Sequence, residues 1–268
     1  MKSLLLLASA ILLLTSCNRK LASGSNSPAA TSTLTLSFEN SAGDKKVTMN
    51  EDTYTNASGE NFSVTLLQYF ISNVSLKKTD GTVITLPQDS SYFLVKESVP
   101  ASKQITLQVP KGNYASVSFM LGIDSLRNTK PLAERTGILD PAGGAEGMYW
   151  GWNSGYIFFK MEGHSSAIPD NKAGTKKFRY HIGLFGGMNS PTVNNIKTIT
   201  LNLKDKQVAK AGPGKKPVVT INTNILQMFT GTENISIAKN PVVMVSPFSK
   251  YIADNYASMF SLVAVDNQ

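Results

Sequence analysis

The chain has 268 residues, with 26 Lys and Arg against 18 Asp and Glu, two histidines and one cysteine. A single cysteine excludes an internal disulfide and any site built from several thiolates. The formal charge of +8 is dispersed in pairs beside turn-like sequence (Lys45–Lys46, Lys77–Lys78, Lys176–Lys177, Lys215–Lys216), a pattern of solvated strand ends that argues against nucleic acid as a partner.

The first residues, "MKSLLLLASAILLLTSC", carry a basic Lys2, an apolar core from Leu4 to Leu14 too short to span a bilayer, and small residues before Cys17. This is the pattern of a lipoprotein signal peptide over 1–16, with Cys17 as the lipidation site. Each buried acyl methylene contributes about 0.8 kcal/mol to anchoring. The expected location is therefore the cell envelope, lipid-anchored, with the outer membrane favoured. Loss of Lys2 leaves 25 basic against 18 acidic residues, a mature charge of +7. Residues 17–33 are polar and Ser-rich, with too little apolar surface to offset ordering, and read as a flexible tether. Residues 34–268 read as one domain.

Within that domain, alternation with period two dominates. "STLTLSFEN" alternates Leu34, Leu36 and Phe38 with Ser and Thr. "FSVTLLQYFISNVSLKKTDGTVITL" reads as two strands around a "TDGT" turn. "SYFLVKE", "KQITLQVP" and "NYASVSFMLGI" follow at regular spacing. Then "GIDSLRNTKPLAERTGILDPAGGAEGM" loses the alternation, and Gly, Pro, Asp and Asn mark it as a long loop insert. "GMYWGWNSGYIFFK" contains both tryptophans, Trp150 and Trp152, broken by glycines that suggest close approach of a partner or ligand at Gly151 and Gly155. "KKFRYHIGLF", "IKTITLNLK" and "KPVVTINTNI" are further strands. "SPFSKYIADNYASMFSLV" places Ile252, Tyr256, Met259, Phe260 and Val263 at helical spacing, with Ser246 as N-cap and Pro247 at the first position. Together these elements predict an all-β, immunoglobulin-like β-sandwich with a long central loop insert and a short C-terminal helix.

The chemistry is sparse. The chain has no phosphate-binding glycine loop, nucleophile elbow, HExxH or CxxC, and no acid–base pair stands out, so no enzyme is expected. The two histidines, His164 and His181, fall on two strands of one expected hairpin. Pairing Gly163 near Lys176 sets His181 opposite Phe158, on the face of Tyr156, Trp152 and Trp150 if no bulge intervenes. His164 then lies about six pairs away, or roughly 20 Å, too far for one ion to bridge. Two readings remain open at this point. His181 and the tryptophans form a site, or Tyr149, Trp150, Trp152 and Tyr156 form an aromatic surface for glycan or protein.

"LQYFISNVSL", "KGNYASVSFMLGID", "TGILDPAGGAEGMYWGWNSGYIFFKMEG", "FRYHIGLFGG" and "YIADNYASMF" together resemble the MbnP-like copper-binding family of secreted and lipoprotein bacterial proteins. The resemblance spans nearly all the chain from Leu34 onward. It implies a β-sandwich and a role in copper handling in the envelope. In well-understood members a tryptophan is oxidised to kynurenine by a partner di-haem enzyme of the cytochrome c peroxidase type, and the resulting aryl amine joins histidines in binding copper. Carried onto this chain, the resemblance implies copper as the cofactor, Trp150 or Trp152 as the modified residue and His181 as a ligand, with His164 the other histidine available.

Overall fold

The computed structural model describes residues 31–51, 53–151, 153–170 and 174–268. The expected signal peptide, Cys17, the expected tether up to residue 30 and Trp152 lie outside the described residues.

Before the insert the strands are β1 (Thr31–Ala42), β2 (Lys45–Lys46), β3 (Tyr54–Thr55), β4 (Asn61–Lys78), β5 (Val83–Thr85), β6 (Tyr92–Lys96), β7 (Gln104–Pro110) and β8 (Gly112–Leu121). After it come β9 (Tyr149–Gly151), β10 (Gly155–His164), β11 (Lys177–Gly183), β12 (Lys197–Asn202), β13 (Ala209–Ala211), β14 (Val218–Asn224), β15 (Val242–Val243) and β16 (Phe260–Asp266). Residues 31–33, expected in the tether, belong to β1 instead, because Thr31 to Thr33 pair with Gln108 to Pro110 of β7.

These strands form two layers, the all-β sandwich expected. The smaller sheet runs β16–β14–β1, with β7 and β2 also on β1. The larger runs β12–β8–β4–β10–β11–β15, with the remaining strands attached along it. Alternation on β1 turns Leu34, Leu36 and Phe38 inward, where Phe38 meets Tyr69 and Phe119 of the facing sheet at 6.3 and 5.9 Å between ring centroids. Each such side chain contributes about 1.5–3 kcal/mol on full burial. The Tyr69 hydroxyl crosses the same core to donate to Asn40 Oδ1 at 2.8 Å and pairs with Thr223 Oγ1 at 3.0 Å, so this buried polar group is satisfied.

A second apolar cluster covers the outer face of the larger sheet. Phe70 of β4, Tyr92 and Leu94 of β6, and Tyr156 and Phe158 of β10 meet Ile123, Leu139 and Met148 of the insert. β4 is consequently buried on both faces from Tyr69 to Ser72, which explains its nearly unbroken apolar run "YFI". The insert is held by buried polar groups instead of a ladder. Asp124 caps α1 (Ser125–Thr129) by accepting from the Arg127 amide at 3.0 Å. Asn128, fully buried, donates to Ile123 O and Asp124 O and accepts from the Tyr156 amide. Arg135 donates to the carbonyls of Asn128 and Lys130.

The C-terminal helix is shorter than its apolar spacing suggested. α2 spans Ser249–Tyr256, and Ser246 sits a turn earlier, its hydroxyl accepting from the Phe248 amide. Phe260 and Val263 belong to β16, which pairs antiparallel with β14. Spacing alone merges the two, since Met259 and Phe260 are buried whichever element carries them.

Candidate functional site

The hairpin β10–β11 builds the site. Its register differs from the expected one by two residues: Gly163 pairs with Phe178, and His181 with Lys160 rather than Phe158. A slip of two preserves the faces, because side chains alternate with period two. Phe178, Tyr180 and Ile182 enter the central core, and Arg179, His181 and Gly183 project from the outer face with Lys160 and Glu162. The register is irregular between Ile157 and Phe159. That irregularity allows Ile157 and Phe158 both to join the outer cluster.

His181 is 9% exposed, and its Nε2 lies 2.7 Å from Glu162 Oε1. Burial lowers its pKa from 6.5; the Glu162 carboxylate opposes this, while the charges of Lys160 and Arg179 reinforce it. The ring is neutral at pH 7. A neutral imidazole beside a carboxylate keeps its proton on Nε2 to donate it, which leaves the lone pair on Nδ1. Among the described residues Nδ1 makes no hydrogen bond. Lys160 competes for the same carboxylate, with Nζ 4.0 Å from Glu162 Oε1, and donates to Gly147 O at 2.9 Å.

Trp150 reaches this face by a hairpin rather than along β10. Gly151 and Gly155 pair across the β9–β10 turn with φ of +87° and +70°, a conformation glycine adopts freely. A Cβ at 155 would stand 2.2 Å from Asn128 Oδ1. Both glycines therefore close a turn, and the space beside Gly155 is filled by Asn128 and Phe185 rather than open to a ligand. The turn lays the half-buried Trp150 over Gly183, where a Cβ would meet the indole Cζ3 at 2.8 Å and Tyr156 O at 2.4 Å. Gly183 is two residues beyond His181 on the same strand face, about 6–7 Å along it. Imidazole and indole thus share one face, and Gly183 admits the indole.

The other expected site residues lie elsewhere. His164 is exposed at the far end of β10, opposite Lys177. Four residue pairs, about 13 Å, separate it from His181, nearer than expected but still beyond a shared ion. Tyr156 is fully buried, its hydroxyl donating to Leu139 O at 2.5 Å, and so is no binding surface. Tyr149 is half-buried between Tyr156, 5.0 Å away, and the Arg135 guanidinium, also at 5.0 Å. Tyr156 therefore belongs to the core and drops out of the expected aromatic surface, while Tyr149 and Trp150 stay half-buried. Glu162 went unnoticed in the sequence because the two-residue register error moved it away from His181. Among the described residues no group of three or more His, Cys, Asp or Glu is arranged to hold a metal ion.

The sequence model of the family described as MbnP matches residues 31–245 of this chain. Among solved structures, MbnP from Methylosinus trichosporium is similar in fold, with a TM-score of 0.52 at 15% identity over 77% of this chain and 83% of that one. No curated protein matches.

Proposed function

The chain belongs to the MbnP family, and on that footing we propose that it is a non-catalytic, lipid-anchored protein of the cell envelope that handles copper. The observation that carries the site is the common face of His181 and Trp150 across Gly183. The donor set fits copper in part. Nδ1 of a neutral imidazole is a good ligand, and a carboxylate that takes the other ring proton orients it, as Glu162 does here. An intact indole contributes no lone pair, since its N–H only donates. Among the described residues one imidazole is therefore the nitrogen ligand at this point, and weak affinity is expected in the unmodified state.

Oxidation of Trp150 to kynurenine would supply a second nitrogen. In that conversion the indole C2–C3 bond breaks, C3 becomes a ketone, C2 leaves as formate and the ring nitrogen becomes an aryl amine. This four-electron oxidation consumes two equivalents of peroxide, activated by a di-haem partner of the cytochrome c peroxidase type. Each leaves one oxygen on the opened indole and releases one water, and a further water hydrolyses the N-formyl group to free the formate. Trp152, the alternative position, lies outside the described residues. Lipidation of Cys17 would hold the domain at the membrane, with the outer membrane favoured.

Chelator-competition titrations with Cu(I) and Cu(II), on protein from its native host and on unmodified recombinant protein, test the reading. Tight binding is expected only in the native sample, with the mass change of kynurenine on the peptide holding residue 150, and is lost in His181→Ala. Equal weak binding in all three would refute it.

A further inference from the structure

Two of the lysine pairs that look scattered in sequence, Lys77–Lys78 and Lys215–Lys216, are brought by the fold to one end of the sandwich together with four further lysines. β4 ends there with Lys77 and Lys78, and Lys111 stands in the turn between β7 and β8. The turn after β12 brings Lys204 and Lys206 to the same end, β13 carries Lys210, and the loop before β14 adds Lys215 and Lys216. All but the half-buried Lys78 are exposed. The side-chain carboxylates at this end are Asp80, Asp205 and Asp266. None of the eight lysines is ion-paired within 4.0 Å among the described residues. At the opposite end, among the described residues, Lys45, Lys46, Lys176, Lys177 and Lys239 share the surface with Asp44, Glu51, Glu60, Asp170 and Glu233, and Lys176 pairs with Asp170 at 2.6 Å.

The chain also enters the fold at the basic end. Thr31 pairs with Pro110, and the Ser32 hydroxyl donates to the carbonyls of Gly212 and Lys215, both at 3.3 Å. Cys17 precedes Thr31 by fourteen residues, a length that reaches at most about 50 Å. We propose that this lysine-rich end is a docking face for the anionic phospholipid surface of the membrane that holds the lipid. The inference rests on lipidation at Cys17, which presents this end of the domain to the bilayer at high effective concentration.

The surface has the features such a partner uses. Unpaired lysines are drawn to phosphate headgroups over roughly a Debye length, about 8–10 Å. A cleft of about 500 Å³ between the β4–β5 turn and the turn after β12 is lined by Lys77, Lys78 and Lys204 against the single carboxylate of Asp80, with Lys78 Nζ also donating to Lys111 O at 2.9 Å, and has room for a headgroup phosphate. Val83, 59% exposed at the start of β5, adds an apolar contact beside it. Docking by this end would orient the sandwich on the membrane.

The test uses the mature chain from residue 17 with Cys17→Ser, which retains every described residue and lacks the acyl chains. Its co-sedimentation is measured with phosphatidylcholine vesicles, with and without about one phosphatidylglycerol in three lipids. Binding to the anionic vesicles alone is expected, weakening as salt rises. It should fall at least about tenfold in the combined variant Lys77→Gln, Lys204→Gln, Lys206→Gln and Lys215→Gln. The combined control Lys45→Gln, Lys46→Gln, Lys177→Gln and Lys239→Gln should bind as the parent does, and unchanged melting curves show that both fold. Equal binding to neutral vesicles, equal loss in the control, or duplex DNA bound as tightly as the anionic vesicles would overturn the proposal. Mass analysis of native protein tests Cys17 separately. Acylation without vesicle binding refutes the docking face alone, and vesicle binding without acylation refutes the anchor alone.

Discussion

Glu162→Gln isolates the interaction that sets the state of His181. The substitution keeps the shape and a hydrogen-bonding oxygen but removes the negative charge 2.7 Å from Nε2. A hydrogen bond with a charged partner contributes about 1.5–3 kcal/mol. Lys160, 4.0 Å from the same oxygen, already offsets part of that charge, and Glu162 is 28% exposed to screening water. The lower end of that range, about 1.5 kcal/mol, is therefore the expected loss to the protonated ring. Burial already holds the His181 pKa below 6.5, and without the carboxylate it moves further down. With only two histidines in the chain, an NMR titration of the ring C–H signals reads this directly, and His181→Gln assigns the signal. Copper affinity should drop about 10–100-fold in the modified protein, as for other residues that orient a ligand. A His181 midpoint that stays in place or rises would refute the arrangement.

Lys160→Gln removes both a cation near His181 and the competitor for Glu162, so copper affinity should rise several-fold in competition titrations, and a fall would contradict that role. Because His181 is protonated more readily unfolded than folded, its contribution to stability is present above about pH 6.5 and is lost as pH falls below it. Denaturation midpoints should accordingly drop between about pH 7 and 5, and the drop should shrink in His181→Gln. Gly183→Ala places a methyl against Tyr156 O and the Trp150 indole and should cost about 1–3 kcal/mol in thermal unfolding, with altered tryptophan fluorescence. Asn128→Ala leaves the buried Tyr156 amide without its acceptor and should cost about 1–3 kcal/mol and sensitise the insert to proteolysis.

The layers of the fold were legible because β7, β12 and β14 alternate strictly and β1 and β8 nearly so, and a half-buried strand can hardly alternate otherwise. The face of His181 was legible for the same reason, although its partner was not. Parity survives an error of two residues, while identity of the neighbour does not, so Lys160 and Glu162 were missed. The second cluster was hidden because the segment that covers it carries no period. Its order comes from single buried groups such as Asn128 and Arg135, whose partners lie on other elements. The route of Trp150 onto the face was misjudged because counting along one strand ignores the turn at Gly151–Gly155. The basic end was invisible for a related reason, since eight lysines from five separate segments meet only once strand directions are known.

The most direct measurement is anomalous diffraction at the copper edge from crystals of native, copper-loaded protein. The account predicts one strong peak within bonding distance of His181 Nδ1 and of an opened indole at residue 150, with Glu162 still on Nε2. Copper at His164, or none near His181 beside an intact indole at 150, would contradict it.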